Sequence, residues 1–120
     1  MSWLERMNNA IDYIEDHLTD SIDYTVVAQR AYCSVYNFQR VFSFIINTPL
    51  SEYIRNRRLT LAALELQNTN ARIIDIAVKY QYESQEAFSR AFLKFHGIVA
   101  VLCQNKWLLS KNLPQSCYQS

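Results

Sequence analysis

The chain has 120 residues, half of them hydrophobic, a formal net charge of +1 and a single glycine, which is material for one domain core or for two very small ones sharing an element. No apolar run reaches the about 18 residues of a membrane span, and Met1-Ser2-Trp3-Leu4-Glu5-Arg6 lacks the basic-then-apolar order of a secretory signal. Cys33, Cys103 and Cys117 are too scattered for a zinc or disulfide pattern, so buried or incidental thiols in a reducing, cytoplasmic setting are expected.

A first helix is predicted over residues 3–18, with Leu4, Met7, Ile11, Ile14 and Leu18 at helical spacing and Asp12, Glu15 and Asp16 opposite. Residues 1–24 carry one base, Arg6, against six acids, whereas residues 25–96 carry nine bases against five. The entry helix is therefore an acidic, solvated element, and the following region holds the positive charge that a polyanion would meet. His17 reads as a surface histidine near a helix C-terminus, because no cluster with metal-ligand spacing surrounds it.

Asp23 is placed to cap a short helix from Tyr24 to about Ala31, and Ser34 to cap the next, from Val35 to about Ile46. The inward positions of that second helix are Val35, Phe38, Val41, Phe42 and Ile45, and its outward ones Tyr36, Asn37, Gln39, Arg40 and Ser43. After Pro49 an unbroken run of helix formers spans 50–67, free of Gly and internal Pro. Tyr53, Ile54, Leu61, Leu64 and Leu66 are expected to line one face of it, and at about 1.5 Å per residue it would be roughly 27 Å long. Asn68-Thr69-Asn70 then ends it.

The segments on either side of that long helix are copies. Tyr24-Thr25-Val26-Val27-Ala28, Ser34, Phe38, Arg40 and Phe42 align with Ile73-Ile74-Asp75-Ile76-Ala77, Ser84, Phe88, Arg90 and Phe92. The offset is 49 residues at the alanines and 50 from the serines onward, so the second turn is one residue longer. Each copy is a short helix, a brief break and a longer helix opening on Ser, the pattern of a helix-turn-helix. Neither turn holds a glycine, and Tyr32 and Gln81 would bear the cost of any positive φ there. In the second copy Gln85, Glu86, Ser89 and Arg90 face outward while Ala87, Phe88, Ala91 and Phe92 face inward. Gln and Arg match the edges of adenine and guanine in the major groove, and two such faces at equivalent positions point to nucleic acid rather than to ordinary surface polarity.

Residues 8–98 resemble the DNA-binding domain of AraC/XylS-type transcriptional regulators. The second copy carries most of the resemblance: Ile73-x-x-Ile76-Ala77, Tyr82-x-Ser84, and Phe88-Ser89-Arg90-x-Phe92-x-Lys94-x-x-Gly97. The first adds Ser34-x-x-x-Phe38-x-Arg40-x-Phe42, and the link adds Pro49-Leu50-Ser51-Glu52-Tyr53-Ile54-x-x-x-Arg58-Leu59. The resemblance implies an all-α fold of seven helices in two helix-turn-helix subdomains, about 8–49 and 68–98, joined by the long helix 50–67. It implies double-stranded promoter or operator DNA as partner, RNA polymerase as a further one, and two recognition helices in successive major grooves. Carried over by position, the first reading face is Tyr36, Gln39 and Arg40, and the second Gln85, Glu86, Ser89 and Arg90. Arg40 on a guanine is the leading contact, and Glu86 suits a cytosine amino group. Ser34, Ser84, Arg55 and Arg72 are the phosphate candidates.

The resemblance stops after Gly97-Ile98, where the family continues with Ser or Thr, then Pro. Here stands Val99-Ala100-Val101-Leu102-Cys103-Gln104-Asn105-Lys106-Trp107. Codons permitted for that run, read one base later, spell Ser-Pro-Ser-Cys-Ala-Arg-Thr, so residues 99–120 read as a divergent, out-of-frame tail. The alternative is a working last helix built from the apolar run up to Leu109. With Trp107, Leu108 and Leu109 unpacked, association of the chain is expected. No metal or cofactor is expected, no effector domain or ligand is evident in this chain, and two distant histidines with no nucleophile motif make an enzyme the poorest fit. The competing readings are a helical protein-interaction module and a regulator fragment separated from an effector domain.

Overall fold

A computed structural model describes residues 2–104, and among these the chain forms seven α-helices and no strand. They are α1 (Trp3–Asp16), α2 (Tyr24–Arg30), α3 (Val35–Ile46), α4 (Leu50–Asn68), α5 (Ile73–Lys79), α6 (Gln85–His96) and α7 (Ala100–Gln104). No helix among the described residues is long and apolar enough to cross a membrane. Two compact units divide inside α4, the first ending at Arg55 and the second beginning at Asn56.

The starts and stops follow from local chemistry. Ser2, Asp23, Ser34 and Ser84 each place a side-chain oxygen on a first-turn amide, from Glu5, Thr25, Asn37 and Ala87 respectively. Such caps satisfy donors that have no partner within the helix. The sites where α2 and α5 end are built alike. The amide of Cys33 donates to Ala28 O at 3.2 Å and that of Tyr82 to Ala77 O at 2.9 Å. The residue between the helix end and that amide is left-handed in each case, Tyr32 at φ 58° and Gln81 at φ 71°. This six-to-one closure is a Schellman motif normally built with glycine, so both turns carry the strain anticipated for them. The closure starts at the two aligned alanines, and the extra residue of the second copy, Glu83, comes after it. That is why the offset changes from 49 to 50 only at the serines.

In the first unit α1 packs on α2 and α2 on α3. Met7, Ala10, Ile14, Leu18, Val27, Ala28, Phe38, Phe42, Leu50 and Ile54 are buried. Phe42 lies 5.7 Å from Phe38 and meets Tyr53 edge-on at 5.3 Å. In the second unit α5 packs on α6 and α6 on α7, around Leu59, Ala62, Ala63, Leu66, Ile76, Ala77, Phe88 and Phe92. His96 is buried in this unit and its Nε2 donates to Leu59 O at 2.9 Å, its ring 4.4 Å from Phe92. The polar ring is thus a structural cross-link, a role that its position in the sequence did not suggest.

Three expected core positions are corrected. Leu4 and Ile45 are exposed, and so, marginally, is Leu64. Leu4 sits in the opening turn of α1, three residues before its first buried apolar residue, Met7. The core line of α3 runs through Phe38 and Phe42 to the half-buried Ile46 rather than to Ile45. Helix α4 has no single apolar face because its two parts serve different cores. Leu50 and Ile54 are buried in the first, and Leu59, Ala62, Ala63 and Leu66 at three- and four-residue steps in the second.

The stretch expected to be a divergent tail begins as a helix. Ala100 and Cys103 of α7 are buried in the second core with Ile98, and Gln104 Nε2 donates to Ala71 O at 2.6 Å. The seventh helix is therefore supplied by the residues that stand after Ile98. The association expected of Trp107, Leu108 and Leu109 concerns residues outside those described, as does Cys117.

Candidate nucleic-acid interface

Two outward faces carry the candidate site, one on α3 and one on α6. Each follows from burial on the opposite side of its helix. Phe38 and Phe42 hold α3 against the first core, and Phe88 and Phe92 hold α6 against the second, all four with no exposed surface. At 3.6 residues per turn this leaves Tyr36, Asn37, Gln39, Arg40 and Ser43 outward on α3. The same geometry leaves Gln85, Glu86, Ser89 and Arg90 outward on α6.

On α3, Tyr36 and Arg40 are exposed and Gln39 half-buried. The Arg40 guanidinium lies over the Tyr36 ring at 5.5 Å. Such a stack restrains a long side chain while leaving its planar donor fork turned outward. Tyr36, Gln39 and Arg40 line one open concavity of about 940 Å³ together with Phe44. Arg40 is the sole charge in that lining. On α6, Gln85, Glu86 and Arg90 are exposed and Ser89 half-buried. Glu86 precedes Arg90 by one turn, where opposite charges attract, and Lys94 follows Arg90 at the next turn, also exposed.

The structure separates the four phosphate candidates. Ser34 Oγ accepts from Asn37 N–H at 3.2 Å and Ser84 Oγ from Ala87 N–H at 3.1 Å. Each hydroxyl keeps its own proton to donate. Arg55 is exposed. Arg72 is also exposed, but its Nε and Nη2 bind Asp75 at 3.0 and 3.2 Å. The hydrogen bonds to Asp75, and then its charge, raise the Arg72 pKa, and a phosphate would have to displace that carboxylate. Among the described residues no group of His, Cys, Asp and Glu is arranged to hold a metal ion. Cys33 is half-buried and burial pushes its thiol pKa up, against the lowering effect of Arg6, which keeps it a poor nucleophile.

One outward residue was missed. Phe44, on the Tyr36–Arg40 side of α3, is 87% exposed, more than any other large apolar side chain described. Its spacing of four from Arg40 and eight from Tyr36 was the available signal. An apolar residue has no place in a polar outward pattern, so the sequence assigns Phe44 to neither face.

Comparison with known proteins accords with this geometry. Residues 27–100 match the helix-turn-helix domain family. The chain is 45% identical over 86 residues to the HTH-type transcriptional activator AarP of Providencia stuartii, covering 72% of this chain and 64% of that one. It is 40% identical over 92 residues to the regulatory protein SoxS of Salmonella typhimurium, covering 77% of this chain and 86% of that one. It thus spans just under two thirds of AarP and most of SoxS. The fold is shared with a transcriptional regulator from Chromobacterium violaceum described as containing an AraC-type DNA-binding domain, at TM-score 0.79 and 21% identity over 84% of this chain and 90% of that one. It is shared equally with the DNA-binding domain of AdpA, solved with a target DNA, at TM-score 0.79 and 18% identity over 89% and 96% of the two chains. A doubled helix-turn-helix, two equivalent outward faces and relatives at this identity together place the chain in the AraC/XylS-type family of transcriptional regulators.

Proposed function

We propose that the chain is a sequence-specific DNA-binding regulator of transcription, a cytoplasmic binding module rather than an enzyme. In this reading α3 and α6 each present their outward face to the major groove of one duplex. The observation that carries it is the repetition of a single design. Each reading helix has a serine cap, two buried phenylalanines one turn apart, and an arginine at the same outward position, Arg40 and Arg90. A surface with no common task would not be expected to repeat its arginine along with its core. AarP and SoxS, named as an activator and a regulatory protein, support the reading, as does the AdpA domain, whose structure holds DNA.

The roles follow from donor chemistry. Arg40, restrained on Tyr36, is set for a bidentate contact with guanine O6 and N7, and Gln39 for adenine. Arg90 and Gln85 take the same roles on the second face, with Ser89 adaptable to either base and Glu86 suited to a cytosine amino group. Arg55 and the amino-terminal turns of α3 and α6 take phosphates, which set register without reading sequence. Helix α4, of 19 residues, contributes to both units, so one chain carries both reading faces. One chain then addresses two stretches of a site without needing a second copy. RNA polymerase is the further partner we propose for a chain acting as an activator.

The test is selection of bound sequences from random duplex DNA, followed by titration of the winner and of a scrambled duplex at several salt concentrations. Specific binding should exceed non-specific binding by at least about 10³-fold and weaken steeply with salt. Equal, or salt-independent, binding to both duplexes would refute the proposal.

A further inference from the structure

Tyr36, Arg40 and Phe44 stand at steps of four along α3, so they form one stripe on its outward side. Tyr36 and Phe44 are 68% and 87% exposed, and all three residues line the same concavity. An isolated exposed apolar residue is ordinary on a protein surface. Phe44 is not isolated, because it continues the stripe on which the base-reading arginine lies. The lining it shares holds one positive charge and no acid, beside apolar surface from Trp3, Val41 and Ile45, a mixture that suits a partner offering both negative charge and an apolar group.

We infer that Phe44 is a further specificity residue, packing against the 5-methyl group of a thymine in the major groove. The inference rests on the DNA-binding reading proposed above and adds a base class to it. The methyl group is the apolar feature that thymine displays in that groove, and phenylalanine is among the side chains that meet it. Distance permits the contact. Phe44 lies about 12 Å along the helix axis from Tyr36 and about 6 Å, one turn, from Arg40. The thymine is therefore placed in the half of the site read by α3, beside the guanine assigned to Arg40. The second reading helix supplies an internal contrast. Fifty residues on from Phe44, the equivalent position on α6 is Lys94, which is exposed and suits a phosphate instead. Methyl sensitivity should accordingly belong to the half of the site read by α3 and be absent from the other half.

The experiment takes the full chain and its Phe44→Ala and Phe44→Lys variants to the duplex selected by the unaltered chain. Each thymine is replaced in turn by uracil, which removes the methyl group and nothing else. For the unaltered chain, one or two uracils in the α3 half should weaken binding about fourfold, the worth of one buried carbon of this size. Phe44→Ala should bind with that loss already present, respond to no uracil there, and keep its other base preferences. Phe44→Lys should also be indifferent to uracil but gain about one phosphate contact in its salt slope. Phe44 is exposed, so circular dichroism and melting of both variants should match the unaltered chain. Selective binding that ignores uracil everywhere, or equal uracil sensitivity with and without Phe44, overturns this inference alone. Failure of the unaltered chain to select any sequence overturns the DNA-binding reading and this inference together.

Discussion

Phe92→Ala is the substitution whose cost can be worked most fully from the structure. Phe92 has no exposed surface, and its ring lies 5.6 Å from Phe88 and 4.4 Å from His96. Both neighbours stand on the same helix, one turn to either side, and neither can move into the space without unwinding it. His96 is further fixed by its bond to Leu59 O. The rest of this core is held by α4, α5 and α7, and its alanines, Ala62, Ala63, Ala77 and Ala100, are too short to fill the gap. The cavity should therefore persist, and the loss should fall at about 3–5 kcal/mol. A whole domain of this size has only about 5–15 kcal/mol, so the second unit should melt ahead of the first. Phe42→Ala is the mirror experiment, since Phe42 is equally buried between Phe38 and Tyr53. Urea titration followed by circular dichroism, with hydrogen exchange to locate the loss, should show protection disappearing from α5 and α6 in one variant. In the other it should disappear from α2 and α3. A neutral result for either, or protection lost from the wrong unit, would show that the inward faces have been misassigned.

Three further outcomes follow from individual contacts. Tyr32→Gly removes the strain of a left-handed non-glycine residue at about 1–2 kcal/mol, less the added freedom of the unfolded glycine at about 0.4–1 kcal/mol. It should raise stability by about 0.5–1 kcal/mol, and a lower melting temperature would contradict the turn geometry. The Tyr80 hydroxyl donates to Glu65 at 2.8 Å, and burial, then that bond, then the charge of Glu65 raise its pKa. Its contribution is thus complete below the ordinary tyrosine pKa of about 10 and is lost as pH rises above it, where the unfolded chain gives up a proton that the folded chain keeps. Tyr80→Phe should cost about 1 kcal/mol at neutral pH and lose less than the unaltered chain on going to higher pH, as chemical denaturation at pH 8 and pH 11 would show. Arg55→Ala should weaken selected and random duplexes alike and lower the salt slope by about one contact, and a change in base preference would move Arg55 to the reading face.

Much of this arrangement is legible in the amino-acid order, because the chain states its design twice. Serine caps, paired phenylalanines and arginines recur at matched spacing, and repetition separates a required residue from an incidental one. The left-handed turns are legible for a related reason, the absence of glycine where a helix must stop and reverse. What stays hidden depends on contacts between distant residues. Nothing local distinguishes His96 as a donor to Leu59, 37 residues earlier. The apolar face drawn along α4 fails because one helix serves two cores, and a stripe fitted to the whole averages over both. Ile45 reads as core on hydrophobicity, although the core line of α3 passes through Ile46. The residues after Ile98 read as a break in the family pattern, yet Ala100 and Cys103 are apolar and small enough to fill the place of a last helix.

The central claim is that one chain reads DNA with two equivalent helices, and paired base-preference profiles test it most directly. Sites would be selected with the unaltered chain, with Arg40→Ala and with Arg90→Ala, and every base pair of the winning site then varied singly. Each substitution should relax preference within one block of the site, at a cost of about 1–3 kcal/mol on the specific duplex, and the two blocks should not overlap. Random duplex should be bound almost as before by both variants. Relaxation of the same positions by both substitutions, or equal weakening on specific and random DNA, would contradict the account.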